Sequence, residues 1–559
     1  MNTRARFSSV VFTAALVFAP ALFAQTETAV VHFLGTTSIQ NARQNAGVQG
    51  SSTQGIPREN LRPLPRPHFP SAAAPTTPIT LPNANFQVVP ANAGERGFTG
   101  ITSLDSNQAN GGGVAGIGEP PDQGVGGNDT FIVEAVNIAF RIFSPSGTPL
   151  TDKIGFPDFF GVPPSNGSSS NNVSDPRVFF DPQAKRFFIS ILEFQRDNAT
   201  GHFVGSENLL AVSQTSNALG NYFLYSINGC PSTTPLCVAD QPLIGVNDDG
   251  FYFDNNIFDA TGHFVATRIT ALNKQDLVNN TPVFGVAFDL PADFTVEPAL
   301  PAPGQGTKAN NGIEYFTESL DNGSGANSLR IFALTNTEFL ESSGIPTLLV
   351  NDFASEFYIG PVPANQKAGN FPLGQHFGDP EEFLNTDDDR MLQLYYAGGK
   401  LYTTLETALS GPRTGGAWFV IQPSATTTTL SAHIVNQGYI GISNGSVMYP
   451  AFAVSGGGNG VIGFSFSGTN FFPSAGFVRF SSGTVEKLVR TAGLGQNPED
   501  GFSGYPQFGG NGVARWGDYS AAFVSPAGHL WFAGEFIPND ILHPRTQFTN
   551  WGTFVSRIK

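Results

Sequence analysis

Short apolar runs alternate with turn clusters along most of the chain, and few runs carry helical spacing. Phe187-Phe-Ile-Ser-Ile-Leu192 and Val461-Ile-Gly-Phe-Ser-Phe466 typify them. Such Phe-, Val- and Ile-rich stretches suit a pleated, half-buried surface. Between the runs lie Ser144-Pro-Ser-Gly147, Asn247-Asp-Asp-Gly250, Ala397-Gly-Gly-Lys400, Gly456-Gly-Gly-Asn-Gly460 and Ser525-Pro-Ala-Gly528. Their residues supply a positive or preset φ at a tight turn, so the pattern predicts antiparallel hairpins. Ala271-Leu-Asn-Lys-Gln-Asp-Leu277 is predicted as one short helix on a loop.

The hairpins repeat. Each unit opens on an acidic or aromatic cluster beside Pro or Arg, then gives a strand, a turn and a second strand. Asp175-Pro-Arg-Val-Phe-Phe-Asp181, Gln241-Pro-Leu-Ile-Gly-Val246 and Trp516-Gly-Asp-Tyr-Ser-Ala-Ala-Phe523 begin the clearest copies. Fainter copies start near Asp122, Glu314, Asp389 and Tyr449. Successive starts lie roughly 50–75 residues apart, the range of a four-stranded blade with loops. The expected fold is therefore all-β: a single β-propeller of seven four-stranded blades spanning 96–559, with six or eight blades as alternatives.

The N-terminus reads differently. Arg4 and Arg6 precede an apolar run from Val10 to Phe23, which is too short to span a bilayer. Residues 1–24 are expected to be a signal peptide and 25–95 a Pro-, Ala- and Asn-rich tether. Within it, Leu61-Arg-Pro-Leu-Pro-Arg-Pro67 is a stiff extended stretch, and Val30–Leu34 and Phe86–Val89 could each form a strand. No later apolar run approaches the ~20 residues of a membrane span. The expectation is a secreted or periplasmic chain acting as a monomer. Cys230 and Cys237 are the only cysteines, and in an oxidising compartment they would close a small disulfide loop. The net charge of −16 argues against nucleic acid or an anionic membrane surface as partner.

Six segments carry a resemblance. They are Pro120-Pro-Asp-Gln-Gly-Val-Gly126, Ser174-Asp-Pro-Arg-Val-Phe-Phe-Asp181, Ala211-Val-Ser-Gln-Thr-Ser216, Gly245-Val-Asn-Asp-Asp-Gly-Phe-Tyr252, Asp388-Asp-Arg-Met-Leu392 and Arg515-Trp-Gly-Asp-Tyr-Ser520. In this order they resemble a family of large exported bacterial proteins that look like sialidase-type propellers, mostly of unestablished activity. The resemblance covers roughly 115–559 and implies fold and export more than function. A sialidase Asp-box would read Ser-x-Asp-x-Gly-x-Thr-Trp. The nearest match, Ser319-Leu-Asp-Asn-Gly-Ser-Gly-Ala326, lacks the Trp and occurs once. Sialidases also set three arginines around a carboxylate, a role open to Arg177, Arg390 and Arg515.

In a propeller the start of each innermost strand rings one mouth of the central channel. That would gather Asp175, Arg177, Asp240, Glu314, Asp389, Arg390, Tyr449, Arg515, Asp518 and Tyr519. Mixed carboxylates, arginines and tyrosines suit a sugar or carboxylate site. They equally suit ion pairs that hold blades together. The leading expectation is a glycan- or protein-binding propeller with no assigned reaction; the rival is a glycoside hydrolase or lyase using paired carboxylates. Asp387-Asp-Asp389 and Asn247-Asp-Asp249 are acidic turns where calcium is the one cofactor to consider, although neither has alternating ligand spacing. Gly441-Ile-Ser-Asn-Gly445 and Gly458-Asn-Gly-Val-Ile-Gly463 match catalytic and dinucleotide patterns by letter. Neither is followed by a helix, so both read as turns. The eight histidines are scattered, with no zinc-ligand spacing.

Overall fold

The structure, a computed structural model, describes residues 25–45, 64, 66–67, 80–113, 117–306, 312–538 and 542–559. The expected signal peptide lies outside them. The chain is mostly β and is built of antiparallel meanders. Gly124–Gly127 opens the first, Ser169–Asp181 the second, Cys237–Val246 the third and Glu297–Pro301 the fourth. Leu394–Ala397, Gly445–Val454 and Ala521–Val524 open those that follow. These opening strands neighbour one another in turn, and Ala521–Val524 also neighbours Gly124–Gly127, so the succession closes on itself. Parallel pairing of Ala299–Pro301 with Leu394–Tyr396 fuses the fourth and fifth meanders into one sheet.

The turns work as their residues predict. Asn247 Oδ1 accepts the N–H groups of Asp249 and Gly250 at 2.9 and 2.8 Å. Gly398 and Gly399 take φ of 58° and 76°, the left-handed pair a two-residue hairpin needs. Aromatic pairs then bind one meander to the next. Phe188 stacks on Phe251 at 5.0 Å, Tyr252 meets Phe316 at 6.1 Å, Tyr402 meets Phe452 at 5.5 Å and Phe477 meets Phe532 at 5.6 Å. Each such pair adds about 0.5–1.5 kcal/mol beyond its buried area. The abundance of Phe thus serves the faces between sheets.

The segment read as a tether contributes strands where it is described. Gln25–Thr28 pairs with Gly285–Leu290, and Val31–Ser38 with Asn221–Asn228. Gln87–Pro90 pairs in parallel with Leu488–Gly493. Residues 25–38 and 87–90 are therefore outer strands rather than free spacer, as the apolar alternation at Val30–Leu34 and Phe86–Val89 hinted. The helix lies at Lys274–Asn279, three residues later than its sequence pattern suggested, because Asn273 caps it by accepting from Gln275 and Asp276. Cys230 and Cys237 are bonded, and their sulfurs pack with Ala239 and Ile257. No described helix is long and apolar enough to cross a membrane.

Closure uses two segments far apart in the chain. Arg96–Thr102 is the outer strand of the last meander, paired antiparallel with Gly552–Ile558. Glu134 of the first meander reaches across: it accepts the Ile101 N–H at 2.9 Å and the Thr553 hydroxyl. Gly100 makes room for that carboxyl, since a Cβ there would lie 2.1 Å from Glu134 Oε2. Gly100→Ala is expected to lose about 1–3 kcal/mol by overpacking. Urea unfolding checks it; an unchanged midpoint would show that Glu134 does not tie the closure.

Candidate functional site

The starts of the inner strands share a backbone device. Asp122, Asp175, Gln241, Thr295, Asp387 and Tyr449 take φ of 46°, 59°, 51°, 59°, 45° and 52°. A non-glycine residue there costs on the order of 1–3 kcal/mol and persists only where its surroundings over-determine it. Three of the six precede proline: Asp175-Pro176, Gln241-Pro242 and Tyr449-Pro450. At those places the pairing slips, at Ser174/Arg177, Asp240/Leu243 and Met448/Ala451. Proline has no N–H for the ladder, and the resulting bulge re-aims the neighbouring side chains.

The re-aimed groups interlock. Arg390 grips Asp388 with two bonds, Nε to Oδ1 at 2.8 Å and Nη2 to Oδ2 at 2.6 Å, and donates through Nη1 to Gln241 Oε1. Arg515 Nη2 donates to Asp518 Oδ2 at 2.6 Å. The Asp518 N–H donates to Asp122 Oδ1, and Asn137 donates to Asp122 Oδ2 at 2.6 Å. Asn137 Oδ1 in turn accepts the Asp175 N–H at 2.8 Å. Tyr519 donates its hydroxyl to the Pro176 carbonyl at 3.1 Å, and the Arg177 guanidinium lies 3.4 Å from the Tyr519 ring centre. The segment Arg515–Ser520 thereby locks the last meander to the first two.

Carboxyls this crowded and buried hold protons. Burial pushes Asp122 up to about 6, with Asp175 adding to it. Burial also pushes Asp175, Asp240, Asp387 and Asp518 up to about 7; Asp240 and Asp518 reinforce Asp175, while Arg390 opposes the shift at Asp240 and Asp387 and Arg515 opposes it at Asp518. Asp388 is the exception: burial pushes it up, but Arg390 outweighs burial and holds it below the usual carboxylate range. Burial pushes the Tyr449 hydroxyl well up, helped by nearby Glu406.

Of the residues expected at the mouth, Asp175, Arg177, Asp240, Arg390, Tyr449, Arg515, Asp518 and Tyr519 belong to this neighbourhood. Glu314 does not. It sits on the second strand of its meander and accepts the Ala299 N–H at 3.0 Å. The true inner strand there is Glu297–Pro301, whose prolines disguise it. Asp389 turns away to Arg66, at 2.5 Å. Asp122, Gln241, Asp387, Asp388 and Glu406 are further members that the mouth assignment missed. Among the described residues no group of three or more His, Cys, Asp or Glu is placed to hold a metal ion.

The inner strands also line a small space of about 30 Å³, with Val125, Phe179, Ile244, Leu300, Phe523, Arg177 and Glu297 on its walls. Burial pushes Glu297 up to about 8 against the pull of Arg177. Residues 117–121, 359–393 and 494–520 each lead into an inner strand, so they gather at the charged end. They pack Ile117, Leu373, Phe502 and Tyr505 together, with Phe377, Phe508 and Phe548 against them. Asp500 knots this cap by accepting the N–H groups of Leu373 and Gly374, both at 2.9 Å, and pairing with Arg545 at 3.0 Å.

No protein-family profile matches the sequence, nor does any curated protein. Distant structural likenesses exist. The phage phi92 endosialidase shares 11% identity at a TM-score of 0.36, over 83% of this chain and 69% of its own. Trypanosoma rangeli sialidase shares 10% at 0.30, over 78% and 58%. An alpha-L-arabinofuranosidase from Clostridium thermocellum shares 11% at 0.25, over 58% and 95%. Likenesses this remote carry no argument about activity.

Proposed function

We propose that the chain is a single propeller of seven blades that binds a glycan at the end where the inner strands start, with no reaction of its own. One observation carries this reading. Polar atoms without a hydrogen-bond partner among the described residues include Arg177 Nε and Nη2, Gln123 Oε1, Gln241 Nε2, Glu297 Oε2 and the Tyr449 hydroxyl, all on or beside the opening strands of the meanders. Each buried, unsatisfied group costs about 1–3 kcal/mol, so a ligand rich in both donors and acceptors would repay several at once. A polyhydroxylated sugar is such a ligand. The aromatic cap favours retention over turnover, and the disulfide suits an exported chain.

A second reading rests on Asp175, Asp240, Asp387 and Asp518. Carboxyls raised to about 7 in one neighbourhood could serve as acid and base in glycoside cleavage. A glycan array run beside a panel of chromogenic glycosides separates the two. The expected result is binding without turnover, weakened about tenfold or more by Arg177→Ala. Turnover abolished by Asp518→Asn would establish the second reading. Neither binding nor turnover would leave ordered water as the partner of these atoms and sink both.

A further inference from the structure

The Pro-rich stretch around Arg66 has a place in the fold that the axial site does not explain. Arg66 Nη1 donates to Asp389 Oδ1 at 2.5 Å and to Ser319 Oγ at 3.1 Å, while Nη2 donates to the Ser319 carbonyl at 2.6 Å. Its guanidinium carbon lies 5.8 Å from the centre of the Phe294 ring. Two residues earlier, Leu64 packs against the apolar cluster of Leu192, Phe194, Val238, Phe258 and the same Phe294. The receiving groups are all deep: Asp389, Ser319 and Phe294 are each 2% exposed or less. Asp388 and Glu318 add negative charge behind them.

This is a socket shaped for one side chain. Three acceptors in a fork, an aromatic face and an acidic backing match a planar guanidinium; the compact ammonium of lysine could not meet both the Ser319 and Asp389 acceptors while stacking. The occupant comes from a segment flanked by prolines, Leu64-Pro-Arg-Pro67, whose extended form is set before it docks. A tethered ligand of this kind competes at an effective concentration in the millimolar range, which conceals the socket from anything outside.

We propose that the socket of Ser319, Asp389 and Phe294 is a recognition site for an arginine-bearing, proline-flanked peptide, held in this structure by the chain's own Arg66 with Leu64 packed beside it. The site is distinct from the proposed glycan site and stands or falls without it. The test uses the full chain and the peptide acetyl-Leu-Pro-Arg-Pro-amide. Titrated calorimetrically, the native chain should show no saturable binding. The double variant Leu64→Ala/Arg66→Ala should bind the peptide saturably, about tenfold or more tighter than its Lys counterpart. Adding Asp389→Asn should remove at least about tenfold of that affinity. If the double variant is folded by circular dichroism yet binds no better than the native chain, or takes the Lys peptide equally well, Arg66 is a plain structural ion pair and the proposal fails. Should the double variant not fold, Arg66→Lys alone keeps the charge. The Arg peptide should then displace the lysine and bind, and its failure to do so would equally overturn the proposal.

Discussion

Arg390→Ala is expected to lower stability by about 3–5 kcal/mol, the cost of stripping one partner from a buried ion pair. The reason is local. Arg390 makes two bonds to Asp388, lies 3.3 Å from Asp387 and supports Gln241. It is also the cation that opposes the rise of Asp240. Without it, Asp388 must give up the ionised form that Arg390 maintains. Arg390→Lys should recover only part of the loss, because an ammonium cannot make the paired contact with Asp388. Denaturant unfolding measures both variants. An alanine variant as stable as the native chain would show that water compensates the carboxylates, and the charged ring would then have no structural duty.

Stability is also expected to be greatest at mildly acidic pH and to fall between about pH 5 and pH 8. Asp122, Asp175, Asp240, Asp387 and Asp518 have folded pKa values near 6 or 7, above the usual 3.8. A carboxyl raised in the fold binds its proton more tightly there than in the unfolded chain. Its contribution is complete below the unfolded value and is lost as pH climbs through the folded one. Glu134, lifted by burial from 4.5 to about 7, alone contributes roughly 3 kcal/mol in acid that is lost by the alkaline end. Asp388, held low, acts in the opposite sense and loses its contribution in acid. Melting curves at constant ionic strength decide the matter. A melting temperature that climbs from pH 5 to pH 8 would mean that these carboxyls are ionised in the folded protein.

The hairpins and the links between sheets were legible in the sequence because their chemistry is local. Asn247-Asp-Asp-Gly250 turns where it must, and the cysteines are near enough to bond. The motif at Arg515 was legible because Arg, Trp, Gly, Asp and Tyr in succession suit few other places. Glu314 misled because it lies at the start of a strand, Ile313–Ser319, whereas the inner strand before it is short and holds two prolines. Asp387 and Asp388 read only as an acidic turn, since nothing nearby in sequence shows that Arg390 will link them to Gln241. The outer strands from residues 25–38 were half legible: alternation announces a strand, but its partner lies far along the chain.

The pairing of Arg96–Thr102 with Gly552–Ile558 sets the order in which the molecule can be finished. A chain made or threaded from its N-terminus carries Arg96–Thr102 for most of its synthesis without that mate. Earlier sheets can form meanwhile, but the last one waits for the final residues to arrive. The entropic toll of so long a loop grows only logarithmically with its length, so closure remains affordable in equilibrium. The search is what slows, as it does wherever distant segments must meet. During that wait the exposed edge is open to pairing with other chains, and any product that stops short of Gly552 would stay in that condition.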